Sequence, residues 1–294
     1  STSFETLESR CLLAVAGNAA ANDPQIVINE IMYHPSSGNP LEEFVELYNP
    51  GSTPVNLSQW QFSKGIDFTF PTVDLLPGEF LIVAADIPSF STKYPEVANV
   101  VGPWQGRLSN QSEEIELLNA SGKRMDRVTY ADQGDWAVRS EGPEDHGHTG
   151  WEWTSDHDGG GASAELVNVF LSNRQGQNWQ PSLVPEGTPG IINSRQSYDI
   201  APMILEVSHF PLVPQSNESV TVSATLVDEL PSGVSATLFW RIDGFTEFQN
   251  IPMLDHGQNN DLVNGDGIYS ATIPAHPDQT VIEFYIQAVD TTNH

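Results

Sequence analysis

The sequence predicts an all-β protein built as two immunoglobulin-like β-sandwich domains in tandem. Three observations carry that expectation. Short runs of β-branched and aromatic residues recur along the chain, each closed by Gly, Pro, Asn or Asp. In the cleanest of them, Ser219–Val227, the apolar Val220, Val222, Ala224 and Leu226 alternate with Thr221, Ser223 and Thr225, the period-two signature of a half-buried strand. Only one short stretch, near Ile87–Tyr94 and marked by Pro88 and Pro95, has a helical character. A length of 294 residues suits about two domains.

Residues 1–24 read as a flexible leader or tether. The segment FETLESRCLLA at 4–14 resembles a short motif near the start of large bacterial surface proteins, carried by Phe4, Leu7, Glu8, Arg10, Leu12 and Leu13. The resemblance implies an export or sorting role; a plain amphipathic segment is the alternative. Cys11 is the only cysteine, so no disulfide can form within this chain. The first domain is expected over 25–195. Its strands begin at Ile26–Ile31 and Phe44–Tyr48, the second closed by the turn residues Asn49, Pro50 and Gly51. Phe80–Ala84 is wholly apolar and reads as a buried strand, whereas Ile115–Leu118 and Met125–Tyr130, separated by a turn at Asn119–Gly122, read as a hairpin. Val45 and Leu47 are expected to face the core with Glu46 toward water, and Leu57 and Trp60 to anchor it. Residues 133–165, rich in Gly, His, Asp and Glu, read as a long loop. The second domain is expected over 199–294, with strands at Ser219–Val227, Ser235–Arg241 (carrying Trp240) and Val281–Val289.

Charge narrows the function classes. Asp and Glu number 39 against 11 Lys and Arg, a formal net charge of −28. Such a surface repels phosphate backbones and offers few cations to replace released counterions, which argues against a nucleic-acid partner. It suits divalent cations, cationic partners or simple solubility. No run approaches the roughly 20 apolar residues of a membrane-spanning helix.

Three constellations could carry binding chemistry. In DHGQNNDLVNGDGIYSATIP at 255–274, Asp255, Asp261 and Asp266 stand among Asn259, Asn260 and Asn264, the hard oxygen donors that calcium prefers. The EF-hand spacing fails, because Gly257 and Asn260 occupy its third and sixth positions, and a turn built from Asx side chains is the competing reading. His146, His148 and His157, flanked by Asp145, Asp156 and Asp158, form a weak transition-metal candidate; a solvated acidic loop is the favoured reading. Trp104, Trp151 and Trp153 could form an aromatic platform for a glycan, or pack a loop onto the sandwich. The pairs Glu42/Glu43 and Glu113/Glu114 read as surface charge. No nucleophile–base pair or phosphate-cradling glycine loop occurs, and no catalytic residue is assigned.

The blocks IVINEIMYHP at 26–35, EEFVELYNPGSTPVNLSQWQFS at 42–63, LPGEFLIVA at 76–84 and NWQPSLVPEGTPGIINS at 178–194 resemble the lamin tail domain family, over roughly residues 25–195. The resemblance implies an immunoglobulin-like sandwich and specifies no reaction. Its bacterial extracellular type implies a place in a large secreted or surface protein. Such domains often sit beside nuclease, phosphatase or kinase-like domains.

Together these readings predict a non-catalytic structural or binding module at the cell surface, used for adhesion, spacing or presentation. Its partner would be a protein or a glycan. The alternatives are an accessory region of a larger extracellular enzyme and, last, a metal-dependent hydrolase using the His-rich segment.

Overall fold

In a computed structural model of the chain, the described residues are 26–145, 148–230, 233–257, 261 and 263–292. The leader expected at 1–24 lies outside them. The first part carries β1 (Val27–Met32), β2 (Phe44–Tyr48), β3 (Val55–Asn56), β4 (Gln61–Lys64), β5 (Phe68–Thr69), β6 (Asp74–Leu75), β7 (Phe80–Ala84), α1 (Ile87–Lys93), β8 (Val100–Val101), β9 (Ser112–Leu118), β10 (Arg124–Ala131), β11 (Val138–Asp145), β12 (His148–Thr154), β13 (Ala164–Leu166) and β14 (Trp179–Pro181). The second carries β15 (Met203–Phe210), β16 (Val220–Val227), β17 (Ser235–Ile242), β18 (Gln249–Met253), β19 (Ile268–Ile273) and β20 (Ile282–Val289).

A six-stranded sheet, β14-β13-β1-β2-β7-β8, faces a four-stranded sheet, β10-β9-β4-β5. Their shared core contains Ile28, Val45, Leu47, Leu81 and Val83 on one side and Phe62, Ile115, Leu117, Val128 and Tyr130 on the other. Leu57 and Trp60 join it, as the sequence predicts. Each such side chain contributes about 1.5–3 kcal/mol through burial.

The other face of the large sheet is also covered. There Met32, Phe44, Ile82 and Ala84 pack against Phe90 of α1. This short helix begins at Asp86, whose carboxyl accepts from the Ser89 N–H (2.9 Å), with Pro88 in its first turn. Beside it, a strap of irregular chain over 182–195 crosses the same face. Double coverage overturns one expectation: Glu46, alternating with Val45 and Leu47, is fully buried rather than turned to water. Glu43, read as surface charge, is also buried, its carboxyl accepting from the Leu108 N–H (2.8 Å).

The stretch read as a loop over 133–165 differs as well. It forms the β11–β12 hairpin, with Val138 opposite Thr154 and Arg139 opposite Trp153. A register shift between Glu141 and Glu144 interrupts the alternation, so no period-two pattern marks the hairpin in the sequence.

The second sandwich pairs β15-β16-β19 with β18-β17-β20. Val222, Ala224 and Leu226 pack against Ala236, Leu238 and Trp240, with Met253, Ala271 and Ile273 completing the core. The two sandwiches meet at a defined joint. The Gln177 side-chain amide donates to the Ile204 carbonyl (2.7 Å) and accepts from the Ile204 N–H (2.9 Å). It thereby imitates one rung of a strand partner on the edge of β15. The Ile200 N–H donates to the Glu229 carboxyl (2.7 Å) in the connecting segment, and Met203 is buried.

Candidate functional site

The loop between β18 and β19 gathers the three aspartates singled out by the sequence. One carboxyl oxygen from each of Asp255, Asp261 and Asp266 lies within 4.8 Å of the others. Backbone amides hold them there. Asp261 is buried and accepts from the N–H groups of His256 (2.7 Å), Gly257 (2.6 Å) and Val263 (3.2 Å). Asp255 accepts from Gly265 (2.6 Å) and Gly267 (2.9 Å). Both glycines sit at positive φ, 78° and 85°, which lets the chain curl its N–H groups inward without a Cβ clash. Asp266 accepts from the Ile268 N–H (3.0 Å).

Two chemistries are open to this geometry. The amides make the loop a self-capped turn. The remaining lone pairs of three converged carboxyls are hard oxygen donors of the kind a calcium ion takes among its six to eight ligands. The only Lys or Arg in 199–294 is Arg241. Its guanidinium is paired with Glu283 (2.6 Å), so no basic side chain of that segment is spare to neutralise the triad. Asn259 and Asn260 lie outside the described residues.

The histidine constellation is not assembled in the described residues. His146 and the side chain of His148 lie outside them. His157 is buried, and both its ring nitrogens are in use. Nε2 lies 2.9 Å from the Trp136 carbonyl oxygen, which can only accept, so Nε2 carries the proton. Nδ1 therefore accepts from the Tyr33 hydroxyl at 2.7 Å. Burial holds the imidazole below its ordinary pKa, keeping it neutral. His157 is thus corrected from candidate ligand to core residue, because it has no lone pair left for a metal.

The aromatic platform needs a similar correction. Trp104 is only 6% exposed and belongs to the core of the first sandwich. Trp153 is 49% exposed on β12, with the Arg139 guanidinium 5.5 Å from its ring centre. The Trp151 side chain lies outside the described residues.

A second carboxyl group of residues was not foreseen. Glu46, Glu30 and Glu165 sit directly opposite one another on β2, β1 and β13, all fully buried beneath the strap. The Thr188 N–H donates to Glu30 (2.8 Å), the Gly190 N–H to Glu46 (2.6 Å), and the Ser194 hydroxyl and Arg195 N–H to Glu165 (2.8 Å each). Thr188 also donates its hydroxyl to Glu165 (2.6 Å), and Ser163 donates to Glu30 (2.5 Å). Burial pushes the Glu30 carboxyl up to about 8 and raises Glu46 well above the usual range, with Glu30 adding to the effect on Glu46. These carboxyls act as receptors for the strap backbone. The sequence clue is a glutamate set inside largely apolar strand runs, as in VINEIM and FVELY.

No helix among the described residues is long and apolar enough to cross a membrane. No curated protein matches the chain. The family model described as Lamin Tail Domain matches residues 19–132, which cover the first strands through β10. An immunoglobulin-like domain of this kind suggests a binding or structural module. Over residues 19–132 the chain is similar to the lamin tail domain family.

Proposed function

We propose that the chain is a non-catalytic structural module of a secreted or cell-surface protein, which spaces and presents binding surfaces through two sandwiches held at a set angle. The joint carries this reading: Gln177 gives both halves of its amide to the Ile204 backbone. Such a pair resists hinge motion because bending would strand a backbone N–H and C=O together. The strong net negative charge suits a surface-exposed protein that stays dispersed in saline media. Small-angle scattering tests the joint. The native chain is expected to fit one rigid arrangement, and Gln177→Ala to broaden it. A native chain that already scatters as two independently moving bodies would overturn the spacer reading. Fractionation of the native host would check the location, where an exclusively cytoplasmic pool contradicts it.

A second reading concerns the loop of Asp255, Asp261 and Asp266, which we propose as a calcium site that braces the β18–β19 connection. The convergence of three carboxyls within 4.8 Å is the observation behind it. Calorimetry with calcium, followed by melting with and without the ion, decides the matter. Neither heat nor a rise in Tm would leave the loop as a self-capped turn.

A further inference from the structure

Among the described residues the second sandwich has four strand edges, and three of them are blunted. The edge of β15 is occupied by the Gln177 amide at Ile204 and then bent by a register shift between Leu205 and Ser208. The edge of β19 is capped where Leu254 and Ser270 exchange both backbone hydrogen bonds (2.9 and 3.0 Å). The edge strand β18 is five residues long and contains Pro252. These are the ways proteins blunt strand edges.

β20 has none of these protections. It runs eight residues without a bulge, proline or lysine, and among the described residues it pairs with β17 alone. The ladder shows which of its backbone groups are free. The Asp243 N–H donates to the Val281 carbonyl (3.0 Å), making that a hydrogen-bonded pair. Antiparallel pairs alternate, so Glu283, Tyr285, Gln287 and Val289 turn their amides to β17. The N–H and C=O groups of Ile282, Phe284, Ile286 and Ala288 therefore point outward, away from β17.

The side chains on that row report the same opening. On β17, Ala236, Leu238 and Trp240 are fully buried. Their partners across the ladder, Ala288, Ile286 and Phe284, are only half-buried although they face the same core. A core residue on an interior strand has a strand on both flanks; these have a paired strand on one, with the His209 ring of β15 edge-on to Phe284 at 6.4 Å.

We propose that the free edge of β20 accepts an antiparallel strand from a partner polypeptide, apolar on the side facing the core and basic on the other. This rests on the binding-module reading above and names the surface that does the binding. Main-chain hydrogen bonds supply affinity in such strand addition, and alternate side chains supply specificity. The apolar face follows from the half-buried Phe284 and Ile286, which an incoming Val or Ile would cover. The basic face follows from charge: residues 199–294 hold thirteen Asp and Glu against one Arg. Tyr285, 41% exposed and stacked on Phe239 (4.8 Å), offers a ring face to a Lys or Arg on the incoming strand. A second copy of this chain would bring the same negative charge to the contact.

The test uses the 294-residue chain and a blocked nonapeptide alternating Val or Ile with Lys or Thr. Hydrogen exchange is expected to show the amides of Phe284, Ile286 and Ala288 exchanging fast alone and at least ten-fold slower with peptide. Ala288→Pro removes an outward N–H at little change in volume and leaves the β17 ladder intact; it is expected to weaken the peptide at least ten-fold with Tm nearly unchanged. Ile286→Pro repeats the test at the centre of the edge. A peptide with Glu in place of Lys should not bind. Three results overturn the proposal: no protection by the basic peptide, protection already present in the chain alone, or concentration-dependent dimers that protect the same amides. None of them touches the scattering test of the joint, so the two readings fail separately.

Discussion

Two triads of carboxyl groups, Glu46–Glu30–Glu165 in the first sandwich and Asp255–Asp261–Asp266 in the second, are both wrapped by backbone amides, yet they are built for different tasks. The glutamates stand on three neighbouring strands, so the sheet spaces them and each meets its own donor on the strap. The aspartates come from one loop that curls on itself, and their oxygens converge within 4.8 Å. Convergence is what a cation needs; separation is what a backbone needs in order to be held along its length. Burial sharpens the difference. In the glutamate triad the low-dielectric setting favours the neutral acid and raises Glu30 and Glu46, whereas Asp255 and Asp266 remain half-buried at the surface.

The largest effect is expected where the strap touches the glutamates most closely. Gly187 has φ +88°, and a Cβ there would lie 2.2 Å from a Glu30 carboxyl oxygen and 2.7 Å from the Ser163 hydroxyl. Gly187→Ala should therefore cost about 3 kcal/mol, through positive-φ strain and loss of the Glu30 contacts, measured by urea unfolding. A cost near zero would show that the strap is loosely seated. Next comes Glu165→Ala, which leaves the Thr188 and Ser194 hydroxyls and the Arg195 N–H without their acceptor, at about 2–3 kcal/mol. Amide exchange at Arg195 should rise with it, while exchange in the second sandwich stays unchanged.

Asp261→Ala makes the matching break in the other triad. Three N–H groups lose their acceptor, and about 2 kcal/mol is expected, confined to the second sandwich. Asp266→Asn is milder, since the amide oxygen can still accept from the Ile268 N–H. Its stability should fall by less than about 1 kcal/mol, while any rise of Tm with calcium should disappear. If Asp266→Asn keeps the calcium response, the triad is not the site.

The last comparison is read as a slope with pH rather than at one condition. An unfolded Glu titrates at about 4.3. Burial lifts Glu30 to about 8 and Glu43 to about 7 in the folded chain. Between these limits the folded state holds more protons than the unfolded state, so stability declines as pH rises from about 4.5 to about 8. Glu30→Gln, a mimic of the neutral acid, should flatten that decline, with Tm above the native chain at pH 8 and near it at pH 5. A native Tm that climbs across this range would contradict the assignment of Glu30 as the buried acid.

Some of this is legible in the sequence itself. The alternation in Ser219–Val227 places β16, the turn at Asn119–Gly122 places the β9–β10 hairpin, and Pro88 marks the first turn of α1. These are local signals, and local geometry answers them. The Asp255, Asp261 and Asp266 group was legible for the same reason, since residues within twelve positions on one loop have little choice but to meet. Where the reading failed, the cause lay far away in sequence. Glu46 looked solvent-facing because a single strand cannot reveal that residue 190 will lie over it. His157 looked like a ligand because nothing nearby announces Tyr33, 124 positions away, as its hydrogen-bond partner. Trp104 looked available because its burial depends on the opposing sheet.

The amino-acid sequence by itself determined the all-β class, the acidic surface, the lamin-tail-like blocks and the composition of the aspartate loop, because periodicity, charge and turn chemistry act over a few residues. Tertiary structure alone decided which carboxyls are buried, that Gln177 meets the edge of β15 at Ile204, and that among the described residues β20 pairs with β17 alone. Those outcomes depend on contacts between segments far apart in the chain, and a strand's own pattern is the same whether its second face or its edge meets water, a strap or a partner.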